Sequence, residues 1–343
     1  MSDDAEGIEW KWQEFVEYSK DIKELDSKKG KIDLANIALT LARDFPQSKY
    51  IVNSKERVRQ YRDIRVKLAE IVDGHFETIE SAVTTYFFAE HRYAGLDEHL
   101  FDIGCFRKNI GAQMGAICQV TNGTSTTRYF VKTHQNGPSE KNLKSKNLPD
   151  AKEIFIYNLL HRIGIGPEPR FIVPLDSVTS TIYIATKDCQ LTLLSDLTEK
   201  TANMKALLQL DLISRILCLQ DCTSNPSNCG QVGDKPMIID FRIETQQTGY
   251  LKSDLLDRFY AGNDEFNHVG LMGTAVKTTD QETLCVVRES LGEWNLLEKI
   301  KDSELKISEW IRKFIGRVQF ENDLERYVQD ITATVNTLLE RIE

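Results

Sequence analysis

No stretch of this sequence holds the roughly 18 consecutive apolar residues that a membrane-spanning helix needs. The segment from Met1 to Trp12 is acidic and polar and has no apolar signal core, so a cytoplasmic location is expected. A basic surplus is also missing: 43 Lys and Arg face 52 Asp and Glu, for a net charge of −9. Such a chain does not attract polyphosphate backbones as a whole, which disfavours generic nucleic-acid binding. The seven cysteines are odd in number and scattered, which argues against a disulfide framework and for reduced thiols. Asn122-Gly123-Thr124, a glycosylation acceptor by pattern, is then better read as a turn. The six histidines include no His-Glu-x-x-His pair, and neither a Gly-x-Ser-x-Gly elbow nor a P-loop is present. What remains is an ordinary globular composition, 41% hydrophobic and 28% charged, over 343 residues, enough for two or three packed modules.

The first hundred residues read as helices. Trp10, Trp12, Phe15, Val16, Ile22 and Leu25 lie close to helical spacing, and Leu34, Ile37, Ala38 and Leu41 form a second face that ends near Pro46. Ser54 can cap a third helix that turns Val58, Tyr61, Ile64, Leu68 and Ile71 inward. Gly74 interrupts it, and Ile79, Val83 and Phe87 continue a fourth. The third helix carries Lys55, Arg57, Arg59, Arg62, Arg65 and Lys67, either a solvated bundle face or a dock for an acidic partner.

From Ile110 to Lys187 the texture turns to glycines, β-branched runs and turn clusters. Strands are expected at 116–120 and 128–133 around an Asn122-Gly123 turn, and at 171–174 and 181–186 around a polar turn at 176–180. Between these pairs, Pro149-Asp150 introduces a helix through about Ile163. A buried helix is expected over Leu207–Leu217, with Leu210, Ile213 and Ile216, and then a short strand at 237–241. Beyond about Gly249 the chain is mostly helical: Trp310, Ile311, Phe314, Ile315 and Val318 form one face, and Leu324, Val328, Ile331, Val335, Leu338 and Ile342 another.

Three blocks carry chemistry. Gly111-Ala112-Gln113-Met114-Gly115 is either a tight turn or a place where the backbone of Gly111 and Gly115 closely approaches phosphate oxygens. Lys132 ends the apolar run Arg128-Tyr129-Phe130-Val131, where an ammonium is costly unless paired. Glu153, 21 residues later in the first turn of the next helix, is its candidate mate. The third block is a polar loop from Asp221 to Asn228, followed by Met237-Ile238-Ile239-Asp240-Phe241-Arg242. Cys218, Cys222 and Cys229 cluster there without a clean zinc spacing or a nearby histidine.

In this order, Lys132, Glu153, the exit Ile163-Gly164-Ile165-Gly166-Pro167, the strand pair and the Asp-Phe element resemble the protein-kinase-like superfamily. The look is nearer to lipid, aminoglycoside and choline kinases than to typical protein kinases. The resemblance implies an α+β, bilobal fold: an N-terminal helical region at 1–95, a β-rich small lobe at 96–190 and a helical large lobe at 191–343. It implies that Ala185, Thr186 and Lys187 are a hinge whose backbone meets an adenine edge, and that Asp196 begins the large lobe. It also implies ATP and Mg2+ as cofactors, with Lys132 and Glu153 orienting phosphates, Asp240 and Asn228 holding the metal and Asp221 as general base.

The pattern has departures. Asp221 and Asn228 are seven apart where the family has five, and five before Asn228 stands Thr223. Phe130 is bulky where a small residue usually roofs the adenine, Arg242 replaces the glycine after Asp-Phe, and no Ala-Pro-Glu follows. Two functions are therefore expected to compete: an active ATP-dependent phosphotransferase, and a pseudokinase that uses the flanking helices to scaffold a protein partner.

Overall fold

The computed structural model describes residues 3–73, 75–94, 101–107, 113–139, 145, 147–174, 181–197, 201, 203–222, 225–243, 280–314, 316–321 and 323–342. Gly74, Gly111, the turn at 176–180, Thr223 and Ile315 lie outside the described residues.

The chain is mixed α and β. Helices α1 (Asp3–Asp21), α2 (Lys28–Leu41), α3 (Lys49–Val52) and α4 (Lys55–Asp73) gather around Trp12, Phe15, Phe45, Ile51 and Leu68. Ser27 and Ser48 cap α2 and α3 by accepting backbone N–H groups two or three residues on. In α2 the buried positions are Ala35 and Ala38, whereas Ile37, expected to point inward, is half exposed. Small residues suffice there because α1 and α4 both approach α2 closely.

Helix α5 (His75–Tyr93) belongs to a different core. It lies on a five-stranded antiparallel sheet made of β1 (Phe101–Arg107), β2 (Gly115–Asn122), β3 (Ser125–Thr133), β4 (Pro169–Ile172) and β5 (Tyr183–Lys187) in the order β1-β2-β3-β5-β4. The hydrophobic clusters thus divide near residue 72, not at the change of texture at Gly95. Strand β1, upstream of the expected strand region, keeps a period of two, with Phe101, Ile103 and Cys105 turned to the α5 side. The β2–β3 turn is tight because Gly123 takes φ +59, a left-handed conformation that glycine adopts without a Cβ clash.

The other face of the sheet meets α6 (Ala151–Arg162). Asp150 caps this helix through its bond to the Lys152 N–H, and Ala151 through Leu160 are all buried. Gly164 at φ +78 ends it, and the N–H groups of Ile165 and Gly166 return to the Leu160 carbonyl. Alternation sorts the strands: Tyr129, Val131, Tyr183 and Ala185 face α5, so Phe130, Lys132 and Ile184 face the α6 side.

Below α6 lie β6 (Thr192–Leu193), α7 (Met204–Ile216), β7 (Leu219–Gln220), β8 (Cys229–Val232), β9 (Lys235–Ile238) and β10 (Arg242–Ile243). They form two small sheets, β6-β8-β9 and β10-β7. The strand expected at 237–241 is split, since the N–H groups of Ile239 and Asp240 both turn to the Asn228 carbonyl and leave the ladder. Helices α8 (Asp280–Trp294), α9 (Leu296–Lys313) and α10 (Leu324–Ile342) complete the largest core. Leu324, Val328, Ile331, Val335, Leu338 and Ile342 are buried along α10 as their spacing predicts. Helix α9 runs beside α6, where Arg162 pairs with Asp302, and Lys152 reaches Asp323 before α10 at 2.7 Å. Among the described residues no helix is long and apolar enough to cross a membrane.

Candidate functional site

Lys132 is the last charged residue of β3, and its side chain is only 11% exposed. An ammonium in that position needs partners, and two carboxylates supply them. Asp240 Oδ1 lies 2.6 Å from Lys132 Nζ, and Glu153 Oε1 lies 3.7 Å away. The face of Tyr157, one turn along α6 from Glu153, stands 5.3 Å from the same nitrogen. Burial disfavours the Lys132 ammonium, but Asp240, Tyr157 and Glu153 outweigh it and hold the group protonated well above its ordinary range.

Glu153 is wholly buried. Its Oε2 accepts a 2.7 Å hydrogen bond from the Gln135 backbone N–H, whereas Oε1 has no hydrogen-bond partner. Burial pushes the carboxyl up to about 7, with Lys132 and the Gln135 N–H pulling the other way. The 3.7 Å gap explains why the ion pair does not win: at that separation the ammonium attracts Glu153 without forming a hydrogen bond to it.

Asp240 sits where the chain leaves β9. Its Oδ1 also accepts the Phe241 N–H at 2.9 Å, and the Phe241 ring packs on Tyr157 with centroids 4.6 Å apart. The carboxylate side chain is 40% exposed, so it faces both the buried lysine and solvent.

Asn228, at the start of β8, staples the loop before it. Its Nδ2 donates to the Asp221 carbonyl at 2.9 Å, and its Oδ1 accepts from Asn225 Nδ2 at 3.1 Å. Asp221 takes φ +64, and its carboxylate lies 3.4 Å from Arg242 Nε. The β7–β10 register, with Gln220 opposite Arg242, brings Asp221 beside the segment that carries Asp240.

Ala185, Thr186 and Lys187 lie in β5, between β3 and β4. The Lys187 N–H is taken by the Glu168 carbonyl, and the Asp188 N–H by that of Arg128. Of the two glycines expected near phosphate, Gly115 starts β2 opposite Lys132, and Gly111 is outside the described residues. Ile117 and Phe130 are direct cross-strand partners on the Lys132 side of the sheet and stay half-buried, whereas the opposite face is closed by α5. An apolar shelf therefore adjoins the lysine.

Gln135, Gln113 and His134 had no signal in the sequence. Gln135 ties the sheet to the Asp240 segment: its Oε1 accepts the Ile243 N–H at 3.3 Å and its carbonyl accepts from Gln113 Nε2 at 2.9 Å. His134 is fully buried with both ring nitrogens unpartnered, and burial, then Lys132, lower its pKa to about 4. Two of the clustered cysteines serve the loop backbone: Cys229 Sγ donates to the Cys222 carbonyl at 3.0 Å, and Cys222 Sγ to the Asp240 carbonyl at 3.9 Å.

Among the described residues no group of three His, Cys, Asp or Glu side chains could hold a metal by itself. Asp240 and Asn228 carry the oxygen donors a hard cation such as Mg2+ would take, but the Asn228 Oδ1 is engaged by Asn225 Nδ2 and would have to turn out of the loop to reach one. A cavity of about 620 Å3 lies elsewhere, between α8, α9 and α10, lined by Arg288, Leu291, Asn295 and Val335. It has no part in this constellation. No protein-family model, curated protein or solved structure matches the chain.

Proposed function

We propose that this chain is a kinase-like, two-lobed nucleotide-binding protein that transfers a phosphoryl group from ATP to an acceptor with Mg2+ assistance. The observation that carries the proposal is the buried Lys132 ammonium held between Asp240 and Glu153, from three separate segments. The sheet order, with α6 between β3 and β4, and the small β7–β10 and β8–β9 pairs around the Asp221–Asn228 loop add support.

Lys132 would bind phosphate oxygens, which are positioned and charge-neutralised in such transfers. The unpartnered Glu153 Oε1 gives the ammonium an alternative mate. A shift of Lys132 toward Glu153 releases the Asp240 carboxylate, which together with Asn228 would hold the cation. Bound there, Mg2+ would neutralise charge on the transferring phosphoryl group. The Ile117–Phe130 shelf would take the flat apolar face of the base. The backbone at Lys187 and Asp188 is already bonded within the sheet, so an adenine edge would be read by the residues just past Asp188.

A second reading, a pseudokinase scaffold binding a protein partner through the flanking helices, is favoured by one observation. Asp221, the candidate base, is turned to Arg242.

The test is thermal unfolding with ATP and Mg2+, in wild type, Lys132→Ala and Asp240→Asn. A ligand at a hundred times its Kd adds about 2.7 kcal/mol to apparent stability. Wild type should show that rise and Lys132→Ala should lose it. No shift in wild type at millimolar ATP refutes nucleotide binding. A shift without phosphate turnover, unchanged in Arg242→Ala, supports the scaffold reading over the transferase.

A further inference from the structure

Cys105 on β1 and Cys118 on β2 stand directly opposite each other in the register. Their sulfurs are 2.8 Å apart, and one thiol donates to the other. Directly opposed residues of an antiparallel pair have Cα atoms about 4.5–5.5 Å apart. A disulfide accepts a span of about 4.4–6.8 Å, so this register is compatible with a bond between the two sulfurs.

The two thiols are not equivalent. Cys118 is fully buried between the sheet and α5, whereas Cys105 is only partly buried, on the strand that ends the sheet order. The hydrogen bond between the two sulfurs lowers the Cys105 pKa against the opposing effects of burial and Glu80, and with burial raises that of Cys118. A more exposed thiol with thiolate character, backed by a second thiol in contact, is the arrangement of an oxidisable pair. Three other cysteines contrast with it. Burial raises the pKa of Cys222 and Cys229, and Cys285 is exposed beside Glu289.

We propose that Cys105 and Cys118 are a redox modification site that reacts with hydroperoxides to form a reversible cross-strand disulfide. The Cys105 thiolate attacks a peroxide oxygen. The O–O bond breaks, the departing oxygen takes a proton as water or an alcohol, and Cys105 becomes a sulfenic acid. The Cys118 sulfur then attacks the Cys105 sulfur. The S–O bond breaks, and hydroxide leaves with the Cys118 proton as water. Two electrons pass from the two sulfurs to the peroxide, and a dithiol reductant reverses the change. The bridge would clamp β1 to β2 one pair from the middle of their register, on the side toward Gly115. This inference is independent of the nucleotide reading, since it needs neither Lys132 nor a ligand.

The test treats the full chain with hydrogen peroxide at neutral pH, caps remaining thiols and maps peptides without reduction. The expected result is a 105–118 linkage that dithiothreitol removes and that loses its dominance when the chain is unfolded in urea. Cys118→Ser should trap Cys105 as a dimedone-reactive sulfenic acid. Cys105→Ser should slow oxidation of Cys118 by roughly ten-fold or more. Both variants are checked for wild-type circular dichroism. Oxidation of Cys105 no faster than that of Cys285, or a linkage joining other cysteines first, overturns the proposal. So does a Cys118 that oxidises at the wild-type rate in Cys105→Ser.

Discussion

Glu153 and His134 titrate over overlapping ranges with opposite consequences for stability, and separating them gives a sharp test of the buried site. The Glu153 carboxyl rises from its ordinary 4.5 to about 7, because burial outweighs Lys132 and the Gln135 N–H. A raised folded-state pKa contributes stability that is complete below 4.5 and is lost as pH climbs to about 7. The His134 ring falls from 6.5 to about 4, through burial first and Lys132 second. Its contribution is complete above 6.5 and is lost as pH falls through 4. Each pH unit is worth about 1.4 kcal/mol per group, so each side chain alone moves stability by roughly 3 kcal/mol. In wild type the two slopes cancel between pH 4.5 and 6.5. Glu153→Gln removes one of them, and its stability should climb by roughly 3 kcal/mol over that window relative to wild type. His134→Phe should fall by a similar amount over the same range. Urea unfolding at half-unit pH steps reads both profiles. Parallel curves for wild type and the two variants would show that neither group titrates as its burial requires.

Three further outcomes test the packing. Gly230→Ala places a Cβ 2.0 Å from the Thr192 carbonyl and 3.0 Å from the Leu193 Cα, both backbone atoms that cannot yield. It should lose about 3 kcal/mol in urea unfolding as β6 separates from β8. Gly292→Ala, in α8 with open space around the new methyl, should gain about 1 kcal/mol from lower unfolded-chain entropy. Tyr327→Phe removes the buried hydroxyl that donates to the Leu217 carbonyl at 2.7 Å and should cost about 1 kcal/mol by the same assay.

The β2–β3 hairpin, α6, β5 and α10 were legible because their own residues state a period. Lys132, Val131, Phe130 and Tyr129 alternate, and the apolar residues of α10 recur at three and four. A lysine at an inward position was itself a signal, since burial of an unpaired ammonium is untenable. The position of α5 was not legible. Its apolar face suits a helical bundle or a sheet equally, and only tertiary packing decides between them. Nor could the break after Ile238 be read, because it depends on one carbonyl, that of Asn228, taking two N–H groups from residues ten or more positions away. Gln135 left no mark because a glutamine at a strand end is ordinary until its partners are seen. The loop from Asp221 to Asn228 was legible as polar, but not its internal bonds, which turn Asn228 inward on the loop and Asp221 toward Arg242.

The two carboxylates satisfy Lys132 unequally. A buried ion pair stabilises a fold only when its geometry is close and every remaining polar atom is bonded, and an apolar replacement often does as well. Here the nearer carboxylate, Asp240, is 40% exposed, while the fully buried one, Glu153, stands off at 3.7 Å with one oxygen unpartnered. A pair selected for stability alone would close the inner contact and leave the outer one loose. The observed order is the reverse. The ammonium leans toward the solvent-facing carboxylate and keeps a second acceptor in reserve behind it. On the proposed reading, a buried ammonium whose nearer carboxylate faces solvent would exchange that partner for an anion, beside the half-buried Ile117 and Phe130 on the sheet face that α5 does not cover.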